Sequence, residues 1–193
     1  MRNFEAIING IKDVDAKYIF EYSEAFNIFD NILRIIDGHD DIVTPTFENY
    51  IKSLNDEYVH GDDDPIVLTW LPLLVLSDIS SDNIDENLVS HVLSLSNSSD
   101  ETKLAAIEYV RLLHDIYWNH VDKSSILEIL PELDILENEV VTANNVKDTL
   151  FAALWCFIWQ DDYESIVRKA YELDSSNPYI CITAGALAGV FYD

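Results

Sequence analysis

The chain has 193 residues, 49% of them hydrophobic, and its 4 Trp, 10 Tyr and 8 Phe supply enough apolar surface to bury a large core, which excludes a disordered chain. Only 5 Gly and 5 Pro are present, so the composition disfavours a turn-rich β-sandwich and favours an all-α fold. The 36 acidic and 11 basic side chains give a net charge of −25, which disfavours direct nucleic-acid binding because that binding depends on cations that neutralise phosphates.

The first half of the chain has the apolar spacing of helices. Residues 17–38 repeat large apolar side chains every three or four positions and end at Gly38, which suits a helix C-terminus. Residues 44–54 begin with Thr-Pro, a capping residue followed by a proline in the first turn. Residues 62–78 are apolar nearly all round after Pro65, which predicts a buried central helix.

The second half continues the helical pattern. Further helices are predicted over residues 81–96, 98–120, 124–133, 144–160, 161–173 and 180–193. Ser99 and Asn145 precede two of these helices and supply side-chain acceptors for their first N–H groups. No pair of strand-like segments joined by an Asn-Gly or Asp-Gly turn is found, and no repeated unit occurs. The sequence therefore predicts a compact all-α fold, a single domain over residues 1–193 with about eight to ten helices.

None of the common catalytic motifs is present: the chain has no HExxH, no Gly-x-Ser-x-Gly, no P-loop and no GxGxxG. His114 and His120 are six residues apart on a predicted helix, so they face different sides and cannot share one ion. Cys156 and Cys181 lie in apolar helical segments, which predicts buried free thiols in a reducing compartment. From these motifs we predict no catalytic residue, no metal ion and no cofactor.

Short acidic runs occur at 38–41 and 60–65, and neither has the spacing of an EF-hand loop. Acidic residues are stabilised at helix N-termini, so capping explains some of them, such as Asp64 before Pro65. The alternative is a functional acidic surface, which would attract a basic partner at a high, salt-dependent rate.

The N-terminal twenty residues contain early acids and no continuous apolar stretch, so we expect no signal peptide. The longest apolar run near the C-terminus has about 13 residues, which is too short to span a bilayer. We therefore predict a cytoplasmic protein that does not bind membranes.

Three segments near the C-terminus follow one another in a distinctive order: "AALWCF" at 152–157, "YESIVRKAYEL" at 163–173 and "AGALAGVFY" at 184–192. This order resembles the C-terminal end of the ADP-ribosylglycohydrolase family, which has an "AALWAFL" helix, an "FEEAVRKAVNLGGDTDT" segment and an "AAIAGALAGAYYG" ending. Weaker similarity covers 68–76, 95–114 and 18–33. The resemblance implies the all-helical fold of that family.

The residues that bind metal in the family are replaced here. Active members hold two Mg²⁺ ions through an N-terminal Thr-Asp-Asp and a C-terminal Asp-x-Asp-Thr, because hard cations need clustered carboxylates. The corresponding positions carry "FEY" at 20–22 and "SNPY" at 176–179, and the Gly-rich opening segment of the family has no counterpart. The resemblance therefore implies a scaffold without the metal site, and we predict that the protein is not an enzyme.

Three hypotheses for function remain open. The first, which we favour, is an immunity protein of the kind that accompanies bacterial polymorphic toxins, including those of contact-dependent inhibition. It would bind a basic toxin domain encoded next to it, a nuclease and more specifically an RNase, through its acidic surface. The second is a residual metal-dependent ADP-ribosyl hydrolase using Glu21, Asp62–Asp64 and Asp174, and the third is a pseudoenzyme that binds an ADP-ribose-like ligand. The predicted partner-binding residues are Asp40, Asp41, Tyr58, Asp62, Asp63, Asp64, Asp161 and Asp162.

Overall fold

The structure, a computed structural model, describes residues 8–9, 11–12, 24–36, 44–57, 63–77 and 84–192. The α-helices in this part of the chain are α1 (Glu24–Ile36), α2 (Pro45–Glu57), α3 (Val67–Ser77), α4 (Glu86–Leu95), α5 (Asp100–Trp118), α6 (Lys123–Ile129), α7 (Val146–Trp159), α8 (Tyr163–Leu173) and α9 (Pro178–Tyr192). Residues 8–9 and 11–12 are helical as well, and no strand occurs among the residues described. The all-α prediction and the predicted number of helices are confirmed.

Helix starts follow the predicted capping residues. The Thr44 Oγ1 accepts a hydrogen bond from the N–H of Phe47 at 3.2 Å, and the helix begins at Pro45. The Ser99 hydroxyl accepts from the N–H of Thr102 at 3.0 Å at the start of α5. Each side chain satisfies a donor that the first helical turn leaves without an intrahelical partner.

Asn145 caps α7 with two hydrogen bonds. Its Oδ1 accepts from the N–H of Asp148 at 2.9 Å, and its Nδ2 donates to the Asp148 carboxylate at 2.7 Å. We expect Asn145→Ala to lower the free energy of unfolding by about 1 kcal/mol, because both bonds are lost. Urea denaturation followed by far-UV circular dichroism measures this loss. Asn144→Ala, at the exposed preceding residue, is the control and should change stability by less than half as much; equal effects would contradict the assignment of the cap.

Helix α3 is the centre of the fold. Its residues from Val67 to Leu73 are buried, including Trp70, and it packs against α1, α4, α5, α7 and α9. The helix continues through Pro72. A helix that is apolar nearly all round has no face to present to water, so it is surrounded by other helices, as the sequence predicted.

Helix α9, which contains the small apolar residues of the C-terminal segment, also lies inside. Residues 180–188 are buried, and the helix packs against α3, α5, α7 and α8. Gly185 lies within this buried stretch, where the absence of a side chain permits close approach of a neighbouring helix. Of the helices in the described ranges, none is both long and apolar enough to cross a membrane.

The connection between α6 and α7 differs from the sequence prediction of one helix over residues 124–133. Helix α6 ends at Ile129, and Pro131 opens a 3₁₀-helix, Pro131–Leu133, which is followed by a second, Glu137–Glu139. Proline lacks an N–H and clashes with the preceding turn, so the α-helix cannot pass through it without distortion. The chain from residue 130 to residue 145 consequently lies over α7 as an irregular segment.

Candidate protein-binding site

The predicted partner-binding residues that the structure describes lie near the two ends of α7. Asp40, Asp41, Tyr58 and Asp62 lie outside the described residues. Asp63 and Asp64 precede α3 near the beginning of α7, where the N–H of Val146 donates to the Asp63 carbonyl at 3.2 Å. Asp161 and Asp162 follow the end of α7. Because α7 has 14 residues that rise 1.5 Å each, the two acidic pairs are separated by about 21 Å.

Asp63 and Asp64 hold helix starts together. The Asp63 carboxylate accepts a hydrogen bond from the Thr102 hydroxyl at 2.8 Å, which ties the start of α3 to the first turn of α5. The Asp64 carboxylate accepts from the N–H of Ile66 at 2.9 Å, as the sequence predicted for a capping residue. Both carboxylates therefore have structural roles at the end of the molecule where α3, α5 and α7 begin.

Asp162 caps α8. Its carboxylate accepts from the N–H of Ser165 at 2.9 Å, and this backbone hydrogen bond is the main reason that the pKa of Asp162 lies below its usual value. The neighbouring Asp161 is exposed, and its carbonyl accepts from the Tyr192 hydroxyl at 2.7 Å. Asp162 thus serves α8, whereas the Asp161 side chain remains at the surface.

Lys123 fixes the same corner of the molecule. Its Nζ donates to the Gln160 carbonyl at 2.5 Å and to the Tyr192 hydroxyl at 3.0 Å. The ammonium also lies 4.7 Å from the centre of the Phe157 ring and 5.3 Å from that of Phe191, within range of cation–π attraction. These contacts hold the end of α9 against the α7–α8 connection beside Asp161.

A groove of about 470 Å³ opens next to this corner, and sequence reasoning missed it. One wall is the segment between α6 and α7, which contributes Asp134, Ile135, Leu136, Glu137 and Glu139. The other wall belongs to α7 and α8, which contribute Trp155, Trp159 and Lys169 together with Gln160. The groove is therefore built between a helical scaffold and the irregular segment laid over it.

Two tryptophans attach that segment to α7. The indole N–H of Trp155 donates to the Ile135 carbonyl at 3.2 Å, and that of Trp159 donates to the Leu133 carbonyl at 3.0 Å. Tryptophans at i and i+4 lie on the same face of a helix, so both indoles point to the same wall. Because Trp155 is buried and the N–H of Trp159 is used internally, the ring surface of Trp159 is what the pair has left to offer a ligand.

Apolar surface is exposed along the groove. Trp159 is 45% exposed and Leu136 is 69% exposed, although both line a concave site. Tryptophan at the surface of a protein is enriched where partners bind, because its large ring buries much area at a low entropic cost. This pair is the strongest indication of a binding function in the described part of the chain.

The charge around the groove is negative. The sequence has five acidic residues and no basic residue between Lys123 and Lys147. One cation reaches the groove from α8: the Lys169 Nζ lies 2.7 Å from a Glu137 carboxylate oxygen and 5.7 Å from the centre of the Trp155 ring. Asp134 and Glu139 add exposed carboxylates, so one wall of the groove carries acids beside its apolar surface.

The residues of the alternative hydrolase site have other roles where they are described. The Asp174 carboxylate accepts from the N–H of Ser176 at 2.9 Å in the turn before α9. The Asn177 Oδ1 accepts from the N–H of Tyr179 at 3.1 Å, as a helix cap does. Glu21 and Asp62 lie outside the described residues, and in the remainder no three His, Cys, Asp or Glu side chains are grouped as metal ligands would be.

The two cysteines are buried, in agreement with the sequence prediction, in α7 and α9. Burial raises the pKa of the Cys156 thiol to about 12 and also raises the pKa of Cys181. The thiolate is the reactive form of cysteine, so both side chains are poor nucleophiles at neutral pH. They contribute to packing.

Comparison of the chain with protein-family models, curated proteins and solved structures finds no match. The similarity of residues 150–193 to ADP-ribosylglycohydrolases consequently stays a prediction from the sequence. The groove is defined by the geometry of this chain alone, so its function has to be inferred from the chemistry of its own walls.

Proposed function

We propose that the protein is an immunity protein, an inhibitor that binds and blocks a basic bacterial toxin domain in the cytoplasm. The toxin is a nuclease, and an RNase in the first instance, because the active site of such an enzyme is lined with cations that bind phosphates. The observation that carries the proposal is the groove beside Trp159, in which exposed apolar surface lies next to the carboxylates of the segment between α6 and α7.

The apolar part of the groove supplies binding energy. Trp159 and Leu136 are already exposed at a concave site, so a partner that covers them removes apolar area from water without rearranging the fold. Aromatic residues in such central positions account for most of the affinity of many protein interfaces. These properties suit a protein partner better than a small, highly charged ligand.

The acidic part of the surface selects a cationic partner and raises the rate of association. A net charge of −25 attracts a cationic protein over a distance comparable with the Debye length, which raises the association rate at low salt. Carboxylates at Asp134 and Glu139 would meet the basic residues that otherwise hold the phosphates of a nucleic acid. Such a complex would block the nuclease by occupying its substrate site.

The test is to express the protein together with the basic protein encoded beside it and to purify the pair through a tag on the toxin. We expect co-purification, protection of cellular RNA from degradation, and an association rate that falls as salt is raised, because the charges are then screened. RNA integrity and surface plasmon resonance are the measurements.

Failure of every basic product of the neighbouring genes to bind would contradict the proposal. A saturable rise of the melting temperature with added Mg²⁺ would also contradict it and support the hydrolase hypothesis, because a ligand that binds only the native state stabilises it. Under the proposed function, we expect the melting temperature in Mg²⁺ to equal that in a monovalent salt of the same ionic strength.

A further inference from the structure

The groove has the chemistry of a receptor for one particular side chain. Its indole N–H groups donate to the carbonyls of Leu133 and Ile135, so Trp155 and Trp159 offer ring surface and no free N–H donor to the groove, and most of the exposed surface belongs to Trp159. The face of an indole carries the negative end of its quadrupole and attracts cations, more strongly than the rings of tyrosine or phenylalanine do. A cationic group is therefore the polar occupant that the aromatic wall favours.

Within the groove, Lys169 already uses this chemistry. Its ammonium lies near the Trp155 ring and pairs with Glu137, and the side chain is only 17% exposed. In the described part of the chain no ion pair involves Asp134 or Glu139, which lie in the same wall. Trp159 and these two carboxylates line the same groove, as Trp155 and Glu137 do. Among the described residues, however, they have no counterpart of Lys169.

Resting on the proposed function, we propose that the groove binds an arginine side chain of the basic partner, with its guanidinium against the Trp159 ring and its N–H groups directed at Asp134 and Glu139. Arginine fits better than lysine because a planar, weakly hydrated guanidinium stacks on aromatic rings and donates to two carboxylate oxygens at once. The apolar residue that occupies the rest of the groove would contact Leu136.

Two other occupants are disfavoured by charge. A second copy of this chain would place one acidic segment, with five acids between Lys123 and Lys147, against another strongly acidic surface, and like charges oppose such contact. A nucleic acid would bring phosphates to the same carboxylates. The occupant is thus a cationic peptide segment.

The inference is tested on the full chain by recording the four indole N–H resonances by ¹⁵N NMR at low ionic strength. The probes are acetyl-Leu-Arg-Leu-amide and the same peptide with lysine or with citrulline, the neutral isostere of arginine. We expect the arginine peptide to shift the Trp159 resonance saturably, with a dissociation constant about tenfold lower than that of the citrulline peptide and with lysine between them. Trp118, which is 37% exposed on α5, is the internal control, and Trp70 is fully buried.

Two variants assign the carboxylates. Glu139→Gln keeps an oxygen that can accept the Leu136 N–H, which the Glu139 carboxylate binds at 3.1 Å, so the 3₁₀ turn is retained while the charge is removed. We expect Glu139→Gln and Asp134→Asn each to weaken the arginine peptide about threefold to tenfold. Asp100→Asn, at an exposed residue at the start of α5, should leave the affinity for the arginine peptide unchanged.

Equal shifts from the arginine and citrulline peptides, equal shifts at Trp118, or no shift at Trp159 would overturn the inference. A concentration-dependent dimer that shifts Trp159 without peptide would overturn it in favour of a second copy. None of these results contradicts the proposed function, which the co-expression experiment tests separately, because a toxin can bind the protein without placing arginine in the groove. If the full chain binds the arginine peptide but fails to neutralise the toxin, that result instead contradicts the proposed function.

Discussion

Trp159→Ala is expected to weaken binding of the toxin domain by about thirtyfold to a thousandfold, the range in which truncation of a central aromatic residue commonly falls. The variant removes a ring that is 45% exposed and forms part of the helical wall of the groove. The loss should appear mainly as faster dissociation, because the net charge that steers association is unchanged. Surface plasmon resonance at two salt concentrations separates the two rates.

Trp159→Ala also removes the hydrogen bond to the Leu133 carbonyl, so a second variant separates binding from local structure. Leu136→Ala removes a side chain that is 69% exposed and should weaken the complex about tenfold with little change in the melting temperature. Trp118→Ala and Leu104→Ala are matched controls, since Trp118 is 37% and Leu104 is 66% exposed on α5. Wild-type neutralisation by both groove variants would rule out the groove as the binding surface.

Trp70→Ala is expected to lower the free energy of unfolding by about 3–5 kcal/mol, the cost of deleting a buried aromatic side chain and leaving a cavity. Trp70 is fully buried in α3, the helix that contacts α1, α4, α5, α7 and α9, so its loss affects most of the core. For a chain of this length the melting temperature should fall by about 6–20 °C.

Differential scanning calorimetry and urea denaturation measure this effect, and Trp70→Phe should lose a smaller part of the stability because it fills more of the cavity. Trp118→Ala again serves as the control and should cost less than half as much as Trp70→Ala. Comparable losses at the two tryptophans would contradict the central position of α3. A Trp70→Ala protein that is unfolded at room temperature would agree with the upper end of the expected range.

The helical fold is predictable because its determinants are local. Thr44, Ser99 and Asn145 each lie next to the helix that they cap, and a hydroxyl or amide that accepts from the first turn acts within four residues. The continuous apolar sequence of α3 and α9 likewise indicates burial without reference to any partner. These elements follow from short-range physical chemistry.

The groove depends on a long-range arrangement, and this is why sequence reasoning missed it. Trp155 and Trp159 have helical spacing, which predicts a shared face but does not indicate that this face is only partly covered. The sequence pattern predicts a helix up to residue 133 in the covering segment, whereas Pro131 ends the α-helical conformation before that point. An acid-rich stretch with the apolar pairs Ile-Leu and Val-Val at 134–141, shortly before a tryptophan pair, is the signal that the sequence offers.

Two of the predicted acidic residues have local structural roles. Acids at helix starts are conspicuous in a chain of net charge −25, yet Asp64 accepts from the N–H of Ile66 in the turn before α3, and Asp162 accepts from the N–H of Ser165 in α8. Capping by Asp is common and explains these positions without a partner. The carboxylates of Asp134 and Glu139 are less conspicuous because each is a single acid with no acidic neighbour in the sequence.

The length of α7 sets the reach of any partner that is centred on Trp159. A standard interface covers about 800 Å² on each protein, and a circular patch of that area has a radius of about 16 Å. Such a patch includes Asp161 and Asp162, but it stops short of Asp63 and Asp64, which lie about 21 Å away beyond the other end of the helix. Asp161 and Asp162 can therefore contribute to the lifetime of the complex, whereas Asp63 and Asp64 can act only on the rate of association.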